Sequence, residues 1–342
     1  MVGNISEQWL PRLPAHSGLR TANPIWVKAV PELASTVCTW SGITGKVMRM
    51  DSMVNVPFGY YRIGSNPEIF VKIIPIDHSE LQLRSDKMAA WLENQNISVS
   101  RLLVDFPKII NDEYAVLAYE YINGRFSNNS ESDIKALGLS LGKLHNVMKV
   151  CPYQEEIKEA GIARHEMLMS RLVEIHNGRC SDHVPEDVRQ LLTNASSELL
   201  QVLVDKAQVI HGDLNYGNVL FLGSKPMPVF LDFEDSWTAW FSPLMDLALV
   251  IERFTLIGSD EDALSLSSTL LNAYYTINDN RFEYTEELGM ILKGMSVRSL
   301  LLLILVVDKY PERVTDSEWK KFVGLYAAAN SRTELMCKIV AQ

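Results

Sequence analysis

The sequence predicts an α+β fold that divides into two parts. Short strand-like runs separated by turn residues dominate from residue 45 to residue 122. Apolar residues recur at helical spacing from residue 246 to the end of the chain. With 342 residues, the chain is long enough to bury a large core and to divide into two lobes or domains. A run of strands followed by a run of helices is the order found in α+β proteins.

The composition is that of a globular enzyme and argues against two kinds of partner. Hydrophobic residues make up 47% of the chain and charged residues 22%. The net charge of −10 argues against a nucleic-acid-binding surface, which needs a clustered basic face, and weakly favours cationic small molecules. The longest apolar run, residues 300–307, is too short to cross a bilayer and predicts a buried helix. We therefore expect neither a nucleic acid nor a membrane as partner.

The cysteines and the N-terminal residues suggest a cytoplasmic location. The four cysteines are scattered without a C-x-x-C spacing, so they predict neither a zinc site nor a disulfide framework: Cys38, Cys151, Cys180 and Cys337. Residues 1–14 lack the basic start and the apolar stretch of a secretory signal. We expect a protein of the reducing cytoplasm.

The chain is expected to comprise an extension (residues 1–40), a smaller lobe (41–122) and a larger lobe (123–342). The extension contains several prolines and shows no sustained periodicity before Trp26. In the smaller lobe we predict strands at 46–50, 58–63, 69–74, 97–106 and 114–122, with a helix at 78–94. In the larger lobe we predict helices at 133–150, 162–177, 185–207, 243–254, 261–277, 285–307 and 317–340. His145, on the first of these, is expected to pack on a helix face.

The chemistry is expected between residues 209 and 246. The pattern Asp213-x-x-x-x-Asn218 followed by Asp232 is the spacing of a phosphoryl-transfer site. In such a site one Asp accepts the proton of the attacking hydroxyl, while an Asn and a second Asp hold magnesium ions. We predict short strands at 208–211, 219–222 and 229–231, with a turn at 223–228. The resulting hairpin would bring Asn218 and Asp232 close enough to share a metal ion.

The run H-G-D-L-N-Y-G-N-V-L-F resembles the catalytic loop of the aminoglycoside phosphotransferase and choline kinase family, small-molecule relatives of the protein kinases. The resemblance covers roughly residues 45–310. It implies a two-lobed, protein-kinase-like fold with a small antiparallel-sheet lobe and a larger, mostly helical lobe. It also implies that Asp213 is the catalytic base and that Asn218 and Asp232 are magnesium ligands. Asp246 would hold the catalytic loop through backbone amides. Where protein kinases have Asp-Phe-Gly, this chain has Glu234 at the glycine position.

The nucleotide contacts follow from the same resemblance. Lys72 lies in the apolar run F-V-K-I-I, where an ammonium group is costly to bury without an anion. The family relationship implies that the α- and β-phosphates of the nucleotide are its partners; the alternative is a solvent-facing lysine on an edge strand. Ser85 occupies the position of the helix glutamate that usually pairs with this lysine, and the nearest acids are Glu80 and Asp86.

Two further nucleotide contacts are expected in the smaller lobe. The adenine would pair with backbone groups of Glu120, Tyr121 and Ile122, at the position of the family's hinge. The loop over the nucleotide, residues 51–57, has no G-x-G-x-x-G pattern, so its phosphate contacts stay unassigned.

The resemblance implies transfer of the γ-phosphoryl group of ATP (or GTP) to a hydroxyl of a small molecule, with Mg²⁺ as cofactor. An amine-bearing acceptor, such as an aminoglycoside or an amino alcohol, is favoured by the acidic chain and by Glu234 and Asp235. Trp237 and Trp240 either offer their faces to a cation or pack the loop. A neutral sugar, an amino acid such as homoserine, or a catalytically weak nucleotide-binding regulator are the alternatives. A protein kinase is disfavoured because the chain lacks an A-P-E segment and a long activation loop.

Overall fold

The computed structural model describes residues 27–49 and 57–342. Contacts between residues divide the chain into two compact units. The sheet unit contains the described residues 27–49, 57–128 and 216–237, and the helical unit contains residues 129–215 and 238–342. Residues 1–26 of the expected extension, and all but the last residue of the expected nucleotide loop at 51–57, lie outside the described residues.

The sheet unit is built on an antiparallel sheet with the strand order β1-β2-β3-β4-β6-β5 in the described part of the chain. The strands are β1 (Val27–Lys28), β2 (Lys46–Arg49), β3 (Gly59–Gly64), β4 (Ile69–Pro75), β5 (Lys108–Ile110) and β6 (Tyr114–Glu120). Along β4, Ile69, Val71 and Ile73 are buried, because successive side chains of a strand point to opposite faces. Lys72 therefore lies on the other face, opposite Tyr60 of β3 and Leu117 of β6.

Part of the expected extension belongs to this sheet and its core. Helix α1 (Pro31–Ser41) begins with a proline, which suits the first helical position, and ends at Gly42 in the left-handed conformation. Its Leu33 and Val37 are buried in one hydrophobic cluster with Ile63 of β3. Helix α2 (Ser79–Asn94) follows β4, as predicted.

One predicted strand of the smaller lobe is wrong. Residues 97–106 alternate as a strand would, but they form only isolated bridges, such as Leu102 with Tyr119. The amide of Leu102 donates to the Asp86 carboxylate at 2.8 Å instead of extending a ladder, and the guanidinium of Arg101 bonds the same oxygen at 3.0 Å. The edge strand is formed after Pro107 instead, by β5.

The predicted hairpin is confirmed. Strands β8 (Val219–Leu222) and β9 (Met227–Phe230) pair antiparallel, with Val219 opposite Phe230. Arg125 bridges to Phe221, and Val99 bridges to Phe230. These bridges explain why the hairpin groups with the sheet unit, although it lies far along the chain.

The helical unit consists of two short strands and a set of helices. Its strands β7 (Gln208–Val209) and β10 (Trp240–Phe241) pair antiparallel. Its helices are α3 (Glu131–Met148), α4 (Gln154–His176), α5 (Glu186–Thr193), α6 (Glu198–Gln201), α7 (Pro243–Val250), α8 (Asp260–Tyr275), α9 (Glu287–Lys309), α10 (Asp316–Ser331) and α11 (Thr333–Val340). The predicted apolar stripe of α3 is completely buried at Ile134, Leu137, Leu141, Leu144 and Met148.

Helices α3 and α8 approach each other at two glycines. A Cβ atom on Gly138 would lie 2.5 Å from the carbonyl oxygen of Leu270 and 2.9 Å from the Cβ atom of Ala273. A Cβ atom on Gly142 would lie 2.9 Å from the Cβ atom of Ile277. The absence of side chains at these two positions lets the helix backbones pack closely.

Two helices that were predicted as continuous are broken. The predicted helix at 185–207 is divided into α5 and α6, since Asn194 and Ser196 direct their side chains to nearby backbone groups. The predicted helix at 317–340 is divided into α10 and α11 at Arg332, whose guanidinium donates to the Leu256 carbonyl at 2.8 Å. At the first of these breaks, polar side chains that bond to nearby backbone groups compete with the helix ladder.

Helix α9 contains the apolar run predicted at 300–307. Among the described residues, α9 is the helix whose length and composition would allow it to cross a membrane. However, 67% of its apolar window is buried inside the structure. Burial of this kind is expected of a core helix, and Leu300, Leu301 and Leu303 are completely buried.

Candidate active site

The loop at residues 211–213 is held by Asp246, as predicted. Its carboxylate accepts the backbone N–H of His211 at 2.8 Å and that of Gly212 at 2.9 Å. Asp246 lies in the first turn of α7, which begins after the capping residue Ser242, and it is completely buried. Gly212 has a φ of +86°, a left-handed conformation that glycine adopts without strain. The turn before Asp213 therefore has both of its amides fixed by one carboxylate.

Asp213 is the polar residue that this turn presents. Its side chain is half-buried, and its Oδ2 accepts a hydrogen bond from the side-chain amide of Asn215 at 2.8 Å. Its own backbone N–H donates to Nδ1 of His211 at 3.4 Å. Asp213 belongs to the helical unit, whereas the other predicted site residues belong to the sheet unit.

Asp232 has an unusual backbone and an unusual side-chain environment. It follows β9 and Leu231 with a φ of +59°, a region that Asp visits more readily than most residues but that still signals a local constraint. Its Oδ2 lies 3.7 Å from Nζ of Lys72. Its Oδ1 is buried and has no hydrogen-bond partner. A buried carboxylate oxygen without a partner is costly, and a bound cation would offset that cost.

Asn218 lies at the same end of the hairpin as Asp232. It ends a short 3₁₀ turn (Tyr216–Asn218), and its backbone carbonyl accepts the N–H of Leu231 at 2.9 Å. Leu231 is the neighbour of Asp232, so the hairpin brings the backbone of Asn218 next to that residue, as predicted.

These oxygen donors suit a magnesium ion. Mg²⁺ is bound by carboxylate and other oxygen ligands, commonly through one or two carboxylates together with substrate phosphates and water. Asp232 offers the unpartnered Oδ1, and Asn218 offers an amide oxygen. Across residues 27–49 and 57–342, no group of three or more His, Cys, Asp or Glu residues could hold a metal. A magnesium ion at this place would thus need phosphate or water oxygens to complete its coordination.

Lys72 lies on an interior strand of the sheet. Strand β4 is bordered by β3 and β6, so the edge-strand interpretation of Lys72 is wrong. Its ammonium lies 5.9 Å from the ring centres of both Tyr60 and Tyr119, and its side chain is 15% exposed. Burial raises the pKa of Tyr119 to about 12 despite the opposing effect of Lys72, so this phenol stays protonated.

The two acids considered as helix partners of Lys72 have other contacts. Asp86 pairs with Arg101 and accepts the amide of Leu102, both at Oδ1. Glu80 pairs with Arg84 one helical turn further along at 3.0 Å. Ser85, at the position expected for glutamate, is buried. Lys72 forms an ion pair with Asp232, at 3.7 Å.

Consecutive backbone groups at the expected hinge point to opposite sides of the strand. The N–H of Tyr121 donates to the carbonyl of Glu68 at 2.8 Å, on the β4 side of the strand. In an antiparallel ladder, consecutive residues direct their N–H and C=O groups to alternate sides. Glu120, the last residue of β6, therefore directs its N–H and C=O away from β4, while the N–H of Tyr121 is already occupied. The Ile122 carbonyl accepts the Gly124 N–H at 2.8 Å.

The two tryptophans already contact cations of the protein itself. The indole N–H of Trp237 donates to the carbonyl of Arg84 at 2.7 Å, and the Arg84 guanidinium lies 5.6 Å from the ring centre. The ammonium of Lys158 lies 5.8 Å from the ring centre of Trp240. These contacts support the packing interpretation of both residues. Glu234 is buried and Asp235 is exposed.

Sequence reasoning missed a polar role for His145. This residue packs on α3 as expected, but its Nε2 lies 3.2 Å from Oδ2 of Asp246 and its Nδ1 lies 2.8 Å from the hydroxyl of Tyr274. The signal available in the sequence was a histidine next to a stripe of otherwise apolar residues. A completely buried imidazole requires hydrogen-bond partners, which the sequence alone does not identify.

A comparison with protein families assigns the chain. The model of the phosphotransferase enzyme family (APH) matches residues 58–277, more than half of the chain. The chain belongs to this family. It is accordingly a small-molecule kinase, and the phosphotransferase loop predicted from the sequence lies within the matched region. No curated protein matches this phosphotransferase in a sequence search.

Solved structures share the fold of this phosphotransferase. An amicoumacin kinase, hAmiN, in complex with AMP-PNP, Ca²⁺ and Ami has 16% identity and a TM-score of 0.54, over 90% of this chain and 91% of that chain. A type VIII aminoglycoside-3'-phosphotransferase has 19% identity and a TM-score of 0.52, over 79% and 98% of the two chains. A microcompartment-associated aminopropanol kinase has 13% identity and a TM-score of 0.53, over 90% and 98%. The protein-kinase-like α+β fold expected from the sequence is thereby confirmed.

Proposed function

We propose that this phosphotransferase transfers the γ-phosphoryl group of ATP (or GTP) to a hydroxyl group of a small molecule. The observation that carries the proposal is the environment of Asp232. One of its carboxylate oxygens lies 3.7 Å from the Lys72 ammonium, and the other is buried without a hydrogen-bond partner. A lysine beside a carboxylate that still needs a cation is the arrangement expected where a metal-bound nucleotide phosphate binds.

Each predicted residue has a role in this proposal. Asp213 orients the acceptor hydroxyl and takes its proton at the carboxylate, while Asp246 holds the turn that presents it. Lys72 binds a nucleotide phosphate. Asn218 and Asp232 would hold Mg²⁺, which supplies charge neutralisation to the phosphates when it is bound. The protein contributes mainly positioning and electrostatic stabilisation.

The nucleotide base would be recognised by backbone groups. The Glu120 carbonyl points away from β4, so we propose that it pairs with the adenine together with the N–H of Ile122, two residues further on. Tyr121 lies between them, and its N–H is used by Glu68. The AMP-PNP in the structure of the amicoumacin kinase supports ATP as the co-substrate.

We propose an acceptor that carries an amine as well as a hydroxyl. The names of the aminoglycoside phosphotransferase and the aminopropanol kinase support this class. The net charge of −10 and the exposed carboxylate of Asp235 support it as well. The tryptophans no longer support it, because Trp237 and Trp240 face protein cations. A neutral sugar or an amino acid such as homoserine is the competing acceptor class.

The proposed division of labour follows the predicted lobes. Residues 41–122 would bind the nucleotide, and residues 123–342 would supply catalysis and acceptor binding, with the hairpin at 216–237 contributing the metal ligands. The cysteines at 38, 151, 180 and 337 all lie in the described part of the chain and form no disulfide there, which supports the cytoplasmic location that we propose.

A substrate panel tests the function directly. Aminoglycosides, choline, ethanolamine, homoserine and neutral sugars would each be incubated with enzyme, ATP and Mg²⁺, and ADP release would be measured. We expect ADP release above background with at least one amine-bearing alcohol and none with Asp213→Asn. Turnover of neutral compounds alone would overturn the acceptor class and leave the kinase chemistry standing. Binding of Mg·ATP without turnover of any compound would instead favour the nucleotide-binding regulator.

A further inference from the structure

A chain of buried hydrogen bonds leads from Asp246 away from the catalytic loop. His145 of α3 lies between Asp246 of α7 and Tyr274 of α8, at 3.2 Å from the Asp246 Oδ2 and 2.8 Å from the Tyr274 hydroxyl. All three residues are completely buried. Solvent therefore does not compete for these hydrogen bonds, and each group depends on its protein partner.

The partners fix the direction of each hydrogen bond. An ionised carboxylate only accepts, so the proton of the Asp246–His145 contact belongs to Nε2 of the imidazole. Burial raises the pKa of Tyr274 above its ordinary value, and the side chain of Asn280 is also hydrogen-bonded to this phenol. Tyr274 consequently keeps its proton. With a neutral imidazole it donates that proton to Nδ1, and the hydrogen of His145 is then on Nε2.

The carboxylate of Asp246 is the point where this chain meets the catalytic loop. Its Oδ2 accepts from both His145 and the N–H of His211, and its Oδ1 accepts from the N–H of Gly212. A carboxylate that meets two consecutive amides must keep one orientation about its Cβ–Cγ bond. The His145 N–H adds a donor from a different direction and restricts that rotation.

The glycines of α3 explain how Tyr274 reaches His145. Gly138 lies two turns and Gly142 one turn before His145, and a Cβ atom at either position would collide with α8 or the residues after it. Close packing of the two helices brings the Tyr274 hydroxyl within hydrogen-bond distance of the imidazole. The motif Gly138-x-x-x-Gly142-x-x-His145 thus encodes both the close approach and the group that uses it.

We propose that His145 and Tyr274 are positioning residues for phosphoryl transfer. They hold Asp246 in one orientation, and through it they hold the turn at 211–213 that presents Asp213. The inference rests on the proposed role of Asp213 as catalytic base. His145 bonds to Asp246, and Tyr274 bonds to His145, so both residues act on the loop. Their removal therefore changes turnover and leaves nucleotide affinity unchanged.

The first test replaces Tyr274 by Phe, which removes one hydroxyl and keeps the ring. We expect kcat to fall about 3- to 10-fold, the effect of one net hydrogen bond, with the KM for ATP unchanged. Amide hydrogen exchange at His211 and Gly212 should become faster. The matched control is Tyr275→Phe, which removes the hydroxyl of the next residue on α8, outside this chain of hydrogen bonds. It should match the wild type in kcat and in exchange.

A second pair of variants separates positioning from packing. His145→Leu fills much of the space but removes both hydrogen bonds, whereas His145→Gln restores an N–H donor for Asp246. We expect a larger loss of kcat in His145→Leu than in His145→Gln, with faster exchange at His211 only in the first. If His145→Leu does not fold, Tyr274→Phe still decides the question.

The outcomes distinguish this inference from the proposed function. Wild-type kcat in Tyr274→Phe, or a lower kcat with unchanged exchange at His211 and Gly212, would overturn the positioning role. Full activity in Asp213→Asn would overturn the proposed function. In that case faster exchange in Tyr274→Phe would still show that the loop is held through His145, but not that turnover depends on it, and the positioning role would fall as well.

Discussion

The two carboxylate oxygens of Asp232 have different surroundings, and one of them faces Lys72. Its Oδ2 lies 3.7 Å from the Lys72 ammonium, while its Oδ1 has no hydrogen-bond partner. The distance is longer than that of a charge-assisted hydrogen bond, which is about 2.7–2.9 Å. The Asp232 carboxylate thus keeps an acceptor oxygen that Lys72 does not use. A cation bound there would use that oxygen.

Replacing Lys72 by Ala should weaken ATP binding roughly 10- to 100-fold, which is the effect of losing a charge-assisted hydrogen bond to phosphate. The measurement is isothermal titration calorimetry with ATP and Mg²⁺. Lys46→Ala is the matched control, because Lys46 is an exposed lysine on β2 of the same sheet. Equal ATP affinity in both variants, together with unchanged turnover, would contradict a phosphate-binding role for Lys72.

Replacing Asp232 by Asn should abolish the magnesium dependence of nucleotide binding, since the change keeps the shape of the side chain and removes its charge. Titrations with ATP in the presence of Mg²⁺ and of EDTA would be compared. Asp235→Asn, three residues further on and exposed, serves as the control and should retain the difference between the two conditions. A magnesium-dependent gain in affinity that persists in Asp232→Asn would show that the metal is held elsewhere.

Replacing Asp213 by Asn should reduce kcat by about 10²–10⁴, the usual contribution of a positioned general base. The fold and the affinity for ATP should be unchanged, because the Asp213 side chain is half-buried and Asn keeps its shape and an oxygen that accepts the bond from Asn215. Steady-state kinetics with the best acceptor would measure the effect. Asp182→Asn, in an exposed loop, controls for the loss of one negative charge. A kcat within twofold of the control would refute the catalytic role.

Replacing Gly138 by Ala should destabilise the protein by about 1–3 kcal/mol, the cost of inserting a methyl group into a packed contact. The new Cβ atom would lie 2.5 Å from a backbone oxygen that has little freedom to move. Gly324→Ala provides the opposite control, since nothing lies within 4 Å of a Cβ atom there and Gly324 is inside α10. That change should stabilise the protein by roughly 0.5–1 kcal/mol. Thermal unfolding of both variants would measure the difference, and a Gly138→Ala protein as stable as the wild type would contradict the close packing of α3 and α8.

The hairpin of β8 and β9 could be predicted because its signals are local. Short apolar runs on either side of a turn containing Gly223 and Pro228 predict β8 and β9, and the spacing of Asn218 and Asp232 follows from their pairing. The contact between Asp246 and the loop amides could be predicted only through the family resemblance, because 34 residues separate Asp246 from Gly212.

The hydrogen bond between His145 and Tyr274 could not be predicted, since it joins residues 129 positions apart through the packing of two helices. The wrong strand at 97–106 has a related cause. Its alternation is genuine, but the carboxylate of Asp86, 16 residues earlier, takes the amide of Leu102. Single-sequence patterns indicate which face a residue prefers, and they do not indicate which distant polar group competes for its backbone.

The contacts of Trp237 bear on how this kinase is controlled. The indole N–H bonds to the Arg84 carbonyl of α2, and Asp86 of the same helix is tied to Arg101 and to the Leu102 amide. Helix α2 is therefore anchored by interactions that do not involve Lys72, and Ser85 stands where an ion-pairing glutamate was expected. We expect a constitutively active enzyme. Amide hydrogen exchange along α2 should then be the same with and without nucleotide. Slower amide exchange in α2 on addition of nucleotide would instead indicate that α2 changes position when nucleotide binds, and that this movement regulates activity.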